Sequence, residues 1–599
     1  MFRFSRLIAL IFFLFALKTA VEWRWKHDAW RNAIAYDGKG YYSYLPAVFI
    51  YHDLQWKFMD SYEKAHYSPQ EYFDYTYDVD GRKIDKYFCG VSVFQLPFFL
   101  AALLFTHLSG LNADGYSQAF QLGVSLASLF YFALGIYFLS RLLLRFGIRR
   151  SIAAVVLALI TWGTNLFYYA TCEPGMSHVY SFCAVSGFLL FLKLALTENR
   201  TGQFLWSAFF YGLVCIIRPT NAIVILALPA FAGGWNSLLA FFKQLFAEKK
   251  RFFLTALVFS SVIGLQLAMF YLQTGRVFVW SYGHEGFNFK HPELFNILFS
   301  YRKGLFIYTP LLLLAFFGLF FLARENRFSA IFLFILLGGS LYVISCWWQW
   351  WYGGSFGMRP FIEFYPFMAL LLAILLSRAR SIAFKIFSWA FCLLCLIYTH
   401  HQTWQYHSGM IHYMDMDESR FWKVFMSSDF SVLGPPPVPD KTDELQHLDK
   451  KLSFSNDFDT TGVMRPDQGF STEVAHSGKY SIRLDKKVNF SPGFTVYGSA
   501  MAGIKRPMIH ASVMICLRDK NTDAVLVIAY KNGEQQYNWH GIPLKDKVNK
   551  VKEWSKVDIV EELPLLRSAT DKMQVYIYST SEPPVYIDDL LVEIGEKKE

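Results

Sequence analysis

Charge is what this sequence has least of. Only 17% of its 599 residues are Asp, Glu, Lys or Arg, against 54% hydrophobic and 19% aromatic, whereas soluble chains carry about a quarter charged residues. That scarcity excludes a wholly soluble protein and places most of the chain in a bilayer. Ordered cysteine is missing too. The eight cysteines are scattered, Cys516 is alone in the polar C-terminal part, and the pair Cys392 and Cys395 lies inside an apolar run. This excludes a disulfide framework and reads the pair as packing residues, not metal ligands. No internal repeat is visible, unlike many transporters. The net charge of +10 implies no nucleic-acid partner, because Lys and Arg gather in short connections between apolar runs, the pattern of the positive-inside rule.

What is present is a series of twelve apolar runs, roughly 5–21, 88–108, 117–140, 151–169, 179–197, 203–217, 221–236, 252–272, 304–323, 329–346, 361–377 and 383–399. A spanning helix needs about 20 mostly apolar residues. Basic connections occur at Arg3 and Arg6, at Arg141 to Arg150, at Lys193 and Arg200, at Lys243 to Arg251, at Arg324 and Arg327, and at Arg378 to Lys385. If all face the cytoplasm, the spans between them come in pairs. Three runs separate Arg6 from Arg141, so one of them does not cross. Gly90, Gln95 and Pro97 interrupt "FCGVSVFQLPFFLAALLFTHL", which is therefore expected to lie on the outer surface. Eleven spans remain, with the N-terminus inside and the C-terminal part outside. The first run is expected to be an uncleaved anchor, since cleavage after Ala20 would put Lys18 at the small-residue position.

This topology turns the chemically rich connections outward. In "AIAYDGKGYYSYLPAVF", Asp37 sits between glycines that admit close backbone approach and tyrosines 36, 41, 42 and 44, aromatic hydroxyls of the kind that line sugar sites. Such a carboxylate is a candidate general base, although Asp-Gly is also an ordinary turn pair. Lys86 and Tyr87 open the surface helix, where a lysine meets lipid headgroups or a lipid-linked phosphate, or simply snorkels. Glu173 and His178 stand at a helix mouth in "CEPGMSH"; with Asp37 they are candidate ligands of a divalent cation, and the alternative is helix-mouth hydrogen bonding. Arg218 in "RPTN" and Arg359 in "GGSFGMRPFIEF" need an anion, either a carboxylate such as Glu363 or a phosphate. His284 and Glu285 sit between glycines in "VWSYGHEGF", and Arg302 and Lys303 head the next run. Cations thus converge from at least four connections, and an anionic lipid headgroup is their simplest common ligand.

The order of these motifs, "YDGKGYYSYL", "DKYFCGVSVFQLPFF", "CEPGMSH", "RPTN", "RKGLFIYTP" and "WWQWWYGGSFGMR", resembles the C-type superfamily of glycosyltransferases. That superfamily includes the protein O-mannosyltransferases and the aminoarabinose transferases. The resemblance covers about residues 5–400. It implies transfer of a sugar from a polyprenyl-phosphate carrier, with inversion, on the outer face of a bacterial cytoplasmic membrane. Asp37 would be the catalytic base and Glu173 a second catalytic carboxylate. Lys86, Arg218, Arg359 and Arg302 would hold the donor phosphate, and Tyr41, Tyr42, Tyr87, His178, His284 and Glu285 the substrate. The acceptor would be a glycan, a lipid or a protein. A single Asp followed by Gly replaces the adjacent acidic pair of the mannosyltransferases, which leaves the divalent metal and the sugar open.

The expected fold is thus a polytopic α-helical membrane domain, 1–400, then a connector and Pro-rich linker, 401–452, then an all-β sandwich, 453–599. Short alternating segments such as "YSIRL", "HASVMICL", "AVLVIAYK" and "MQVYIYS" carry the last expectation. "NDFD", "AHSGKYSIRL" and "PPVYIDDLLVEI" resemble the jelly-roll carbohydrate-binding modules. That resemblance implies a structural calcium near Asp457, Asp589 and the Ser477–Gly478 backbone. Tyr537, Trp539 and Trp554 are then candidates to stack on sugar, or core residues. Two other functions fit less of the sequence: a transporter or flippase of lipid-linked sugars, and a membrane-anchored glycan-binding or sensing protein.

Overall fold

The computed structural model describes residues 2–27, 29–59, 75–79, 81–283, 285–433, 448–459, 469–504, 507–520, 522–532, 535–548, 550–563, 566 and 568–597. They form two units, one of Met1–Phe58 with Phe73–Leu433 and one containing Gly434–Glu599. The Pro-rich linker at 434–447 and His284 lie outside the described residues. The helical unit runs past the expected boundary at 400. Helix Ile382–His407 continues beyond it and Glu418–Val424 packs back through Phe421, which meets Tyr301 at 5.1 Å.

The helices that matter here are α1 (Phe2–Trp23), α2 (Asp37–Phe49), α3 (Gly90–Leu108), α4 (Gln118–Arg145), α5 (Arg150–Trp162), α6 (Ser177–Glu198), α7 (Thr201–Ile217), α8 (Trp235–Ala247), α9 (Lys249–Thr274), α10 (Leu311–Glu325), α11 (Arg327–Ser345), α12 (Tyr365–Arg378) and α13 (Ile382–His407). Their ends are set locally. Gly147, Gly233 and Gly275 take left-handed φ values of 74°, 73° and 77°, and Asn199 one of 48°, the conformation that closes a helix while satisfying its last carbonyls. Among the described residues eight helices are long and apolar enough to cross a membrane, or nine if Pro219–Ala232 and α8, bent by 113°, make one broken span. Eleven spans are not reached on this measure, because α5 and α7 have only 13 and 17 residues and α10 only 15.

Contacts sort the helix ends into two groups. Ser5 of α1 bonds Ser140 of α4 at 2.8 Å, so these helices run antiparallel. Arg145 pairs with Glu198 at 2.8 Å, Arg251 donates to Asn199 at 2.6 Å, Phe146 packs on Phe231 at 4.9 Å, and Arg378 pairs with Glu325 at 2.8 Å. The arginine-rich connections are thereby gathered at one end. At the other, Ile34 N–H donates to Gln121 at 2.8 Å and Gln55 donates to the Gln273 carbonyl at 2.8 Å. Asp37, Glu173, Arg218 and Arg359 all belong to that second end. Helix α3 passes the length and apolarity measure, although charge counting set it apart. Its first residue, Gly90, packs on the Ile216–Ile217 backbone beside Arg218, and the loop after Leu108 is held by Tyr42 and Tyr51 through the Gly115 and Asp114 carbonyls. Both ends of α3 are therefore tied to the site end.

In the other unit, strands β3 (Leu448–Asn456), β4 (Phe470–Ser471), β5 (Ser481–Leu484), β7 (Pro507–Leu517), β10 (Trp554–Glu562) and β12 (Val585–Lys597) form one sheet. Strands β6 (Phe494–Tyr497), β8 (Val525–Asn532), β9 (Gln535–Pro543) and β11 (Lys572–Tyr578) form the other, with a two-stranded hairpin, β1 (Thr76–Val79) and β2 (Arg82–Asp85), in the helical unit. Alternate residues face the core: Ile509, Ala511, Val513, Ile515 and Leu517 on β7, and Met573, Val575 and Ile577 on β11, the period of two that a half-buried strand imposes.

Helix packing leaves a test. Gly318 of α10 lies against α12 so closely that an added Cβ would sit 2.2 Å from the Leu371 carbonyl oxygen, whereas one on Gly264 of α9 meets nothing within 4 Å. Gly318→Ala should destabilise the full chain by ~1–3 kcal/mol through overpacking, and Gly264→Ala should leave it unchanged or stabilise it by up to ~1 kcal/mol. Thermal unfolding in detergent, followed by tryptophan fluorescence, checks both.

Candidate functional site

Two glycines bring the site together. A Cβ on Gly175 would lie 2.7 Å from the Ala33 carbonyl oxygen and 3.2 Å from the Gly38 Cα, so the first loop and the "CEPG" turn meet backbone to backbone. Asp37, the first residue of α2, and Glu173 are thereby held near each other. Gly40 does the same for Tyr87: its absent Cβ would stand 2.3 Å from that ring. The Tyr87 hydroxyl then donates to Asp37 Oδ1 at 2.8 Å. Buried Asp85 fixes this segment, accepting from Ser43 Oγ at 2.6 Å and from the Tyr87 N–H at 2.8 Å. Preceding Asp37, Tyr36 has φ 49° and ψ −129°, a strained backbone for a residue with a side chain, and the residue is 60% exposed.

The lining cations are each matched by a carboxylate. Arg359 Nη2 donates to Asp37 Oδ2 at 2.8 Å. Lys86 Nζ donates to Glu285 Oε1 at 3.0 Å, which also accepts from Tyr77 at 3.0 Å. Arg218 lies 3.5 Å from Glu363 Oε1 and donates to Ser177 Oγ at 3.1 Å. Glu173 is the fourth lining carboxylate, and its Oε2 is buried without a hydrogen-bond partner. Burial pushes Glu173 up to about 7, Arg359 and Arg24 drawing it down and Asp37 pushing it further up. Burial also raises Asp37, but Arg359, Lys86, the Tyr87 hydroxyl and Arg218 together outweigh it, so its carboxyl is held below the ordinary range. The Tyr87 hydroxyl is raised well above its usual value, by burial and then by Asp37, and remains a donor.

One cavity of about 770 Å³ takes in Asp37, Tyr41, Lys86, Tyr87, Glu173, Arg218, Glu285 and Arg359. Three sequence candidates are absent from its lining. Tyr42 donates to the Gly115 carbonyl, and His178 sits behind the wall, its Nδ1 3.3 Å from Glu363. Arg302 donates to the Met414 carbonyl at 3.0 Å and stacks over Trp351 at 4.0 Å, holding the chain after α13 instead of facing the cavity. Other lining residues had no role in the sequence reading. Trp280, Tyr282 and Trp347 belong to its aromatic loops, while Tyr406, His407, His412 and Tyr413 come from the segment read as connector. The His and Trp content of that connector was the one signal available.

The sequence-suggested cation ligands do not converge, since Asp37 is engaged by Arg359 and Tyr87 and His178 by Glu363. Among the described residues no group of three or more His, Cys, Asp or Glu side chains is placed to hold a metal. In the β unit Asp589 accepts from Ser477 Oγ at 2.7 Å and lies 2.6 Å from His476 Nδ1, and Asp457 accepts from the Asp459 N–H at 3.1 Å. These carboxylates have protein donors, and no role is assigned to a metal there. Trp539 packs over Gly541 and Trp554 lies 5.7 Å from the His476 ring, both half-buried; the Tyr537 side chain lies outside the described residues.

No protein-family model and no curated protein sequence matches this chain. A solved structure, the arabinosyltransferase EmbB from Mycobacterium smegmatis, is similar at 11% identity and a TM-score of 0.30, covering 86% of this chain and 60% of that one. A superposition that loose carries no argument about fold or activity, and the chain spans less than two thirds of that protein.

The two neighbouring carboxylates should titrate far apart. Glu173 is expected to be protonated below and ionised above about pH 7, and Asp37 to stay ionised through the whole range from 5 to 9. Infrared difference spectra of the full chain should show one carboxyl proton leaving near neutrality, and that signal should vanish in Glu173→Gln but persist in Asp37→Asn.

Proposed function

We propose that the chain is a multi-pass membrane glycosyltransferase of the C type that moves a sugar from a polyprenyl-phosphate carrier to a glycan acceptor. The observation that carries this reading is the single cavity in which Asp37 meets Lys86, Arg218 and Arg359 among aromatic side chains. It lies at the end of the helical unit opposite the arginine-rich connections, which the positive-inside rule assigns to the cytoplasm; the site then faces outward, as does the start of the chain that leads to the β unit. Clustering of the ionisable groups at one end also favours chemistry over transport, which places such groups near the midplane.

In the proposed step the acceptor hydroxyl gives its proton to Asp37 while its oxygen attacks the anomeric carbon. The bond from that carbon to the phosphate oxygen breaks, its electron pair stays on the phosphate, and the configuration inverts. Arg359 has two tasks here. Paired with Asp37 it makes the carboxylate a poor base; drawn to the lipid phosphate it releases Asp37 and stabilises the leaving charge, as do Arg218 and Lys86. Donor binding would therefore switch the base on. Tyr87 would keep Asp37 oriented throughout.

Asp37→Asn should lower sugar transfer by about 10²–10⁴-fold, the usual worth of a general base. Its affinity for undecaprenyl phosphate should stay the same or rise, because Arg359 loses its competing partner. Transfer at the wild-type rate by this variant would sink the assignment of the base.

A further inference from the structure

The cavity has two kinds of wall. On one lie the pairs Lys86 with Glu285 and Arg218 with Glu363, and next to them Tyr41, Tyr282 and Tyr352, all close to Arg218. The Asp37–Arg359 pair stands at the boundary. The lining also includes Tyr36, Tyr168, Glu173 and residues between Tyr406 and Met414, and among the described residues no ion pair is found within this group. Tyr406 is near Glu173, Arg359 and Tyr36, and its ring meets Tyr168 edge-on at 4.9 Å. His412 accepts the Met414 and Asp415 N–H groups on Nδ1 at 3.2 and 2.9 Å.

We propose that Tyr36, Tyr168, Glu173, Tyr406 and His412 form a subsite for a neutral, polyhydroxylated acceptor, with the segment after α13 as its outer wall. This rests on the glycosyltransferase reading and extends the site from the motif residues Tyr36 and Glu173 to Tyr168, Tyr406 and His412, which no quoted motif contains. Three observations support it. Flat aromatic faces match the C–H faces of a pyranose, and Tyr36 offers 60% of its surface from a backbone that its own side chain makes costly. Glu173 keeps Oε2 buried and unpartnered, an acceptor left waiting for a donor, and a carboxylate takes adjacent hydroxyls of a sugar in charge-assisted hydrogen bonds. Among the described residues this group includes no Lys or Arg, so nothing there favours a second phosphate. A hydroxyl held by Glu173 would lie beside Asp37, whose charge already acts on Glu173.

The segment is built to stay in place. Lys303, buried, donates to the Ser355 and Tyr413 carbonyls, Arg302 holds Met414 and Asp415, and the Ser355 N–H donates to Tyr413 at 3.1 Å. His407 stacks on Trp23 at 4.3 Å. The wall is thus pinned from three other connections.

The test uses full-length Tyr36→Ala, Glu173→Gln and Tyr406→Ala, with Tyr36→Phe and Tyr406→Phe as conservative controls. Each is introduced into cells whose own copy is deleted, and envelope glycan is measured; each is also purified in detergent and titrated with undecaprenyl phosphate. The expected result is that the first three restore about ten- to a hundredfold less glycan, the worth of one lost charge-assisted hydrogen bond or ring contact, bind undecaprenyl phosphate as the wild type does, and that the Phe variants restore most of the product. Parallel loss of undecaprenyl phosphate affinity would overturn the proposal by making this wall part of the donor site, and full product from Tyr36→Ala and Glu173→Gln would overturn it directly. If the wild-type gene itself alters no glycan, the glycosyltransferase reading fails first, and the subsite with it.

Discussion

The pair between Asp37 and Arg359 is the interaction on which the site depends. It joins residues 322 positions apart, one opening α2 and the other preceding α12, and both are largely buried. Burying two charges costs several kcal/mol per ion unless partners recover it. Here Tyr87 donates to the second carboxylate oxygen and Met176 lies 3.5 Å from the guanidinium, while Arg359 Nε is left without a partner. The same need explains the neighbouring pairs. With Arg218 and Lys86 each beside a carboxylate, the aromatic cavity carries both cations with a partner.

How the pair is held is a matter of backbone, not of side chains. Gly38 against Gly175 and Gly40 under Tyr87 set two separations that any Cβ would enlarge. A shift of this kind matters because a hydrogen bond such as that from Tyr87 to Asp37 is lost beyond about 3.5 Å. The glycines of "YDGKG" and "CEPG" are therefore spacing elements, and the residues that bear chemistry take their geometry from them.

Much of this was legible in the sequence because it follows from charge and period. Charge scarcity and the runs of Leu, Phe and Ala announced helices, the alternation of "HASVMICL" announced strands, and the grouping of Asp37, Lys86, Glu173, Arg218 and Arg359 at the end away from the arginine-rich connections came from counting arginines. What was not legible depends on distance. Arg218 and Glu363 were weighed as partners from the sequence, but nothing in it matched Lys86 to Glu285 across 199 positions. The broken passes were hidden by composition, since α5 and Leu166–Thr171 read as one run, 151–169, until Gly163 and Asn165 part them. That residues read as connector reach the cavity was not legible because a stretch of Tyr, His and backbone has no motif; contacts of Tyr413 with Lys303 and of His407 with Trp23 give it a shape.

Matching each lining cation to a carboxylate has a consequence for how a ligand arrives. An uncompensated basic cleft projects a field into solution, speeds the encounter with any small anion, and is then occupied by the commonest one. Three cations set among four lining carboxylates, the fourth, Glu173, losing its proton only near neutrality, project almost no positive field. Inorganic phosphate and nucleotides would drift past such a mouth, and a partner delivered sideways, within the plane of the lipid, would meet it without competition. In the proposed glycosyltransferase, charge matching inside the cavity would thus act as a filter on the phase from which a molecule comes, separate from any recognition of its shape.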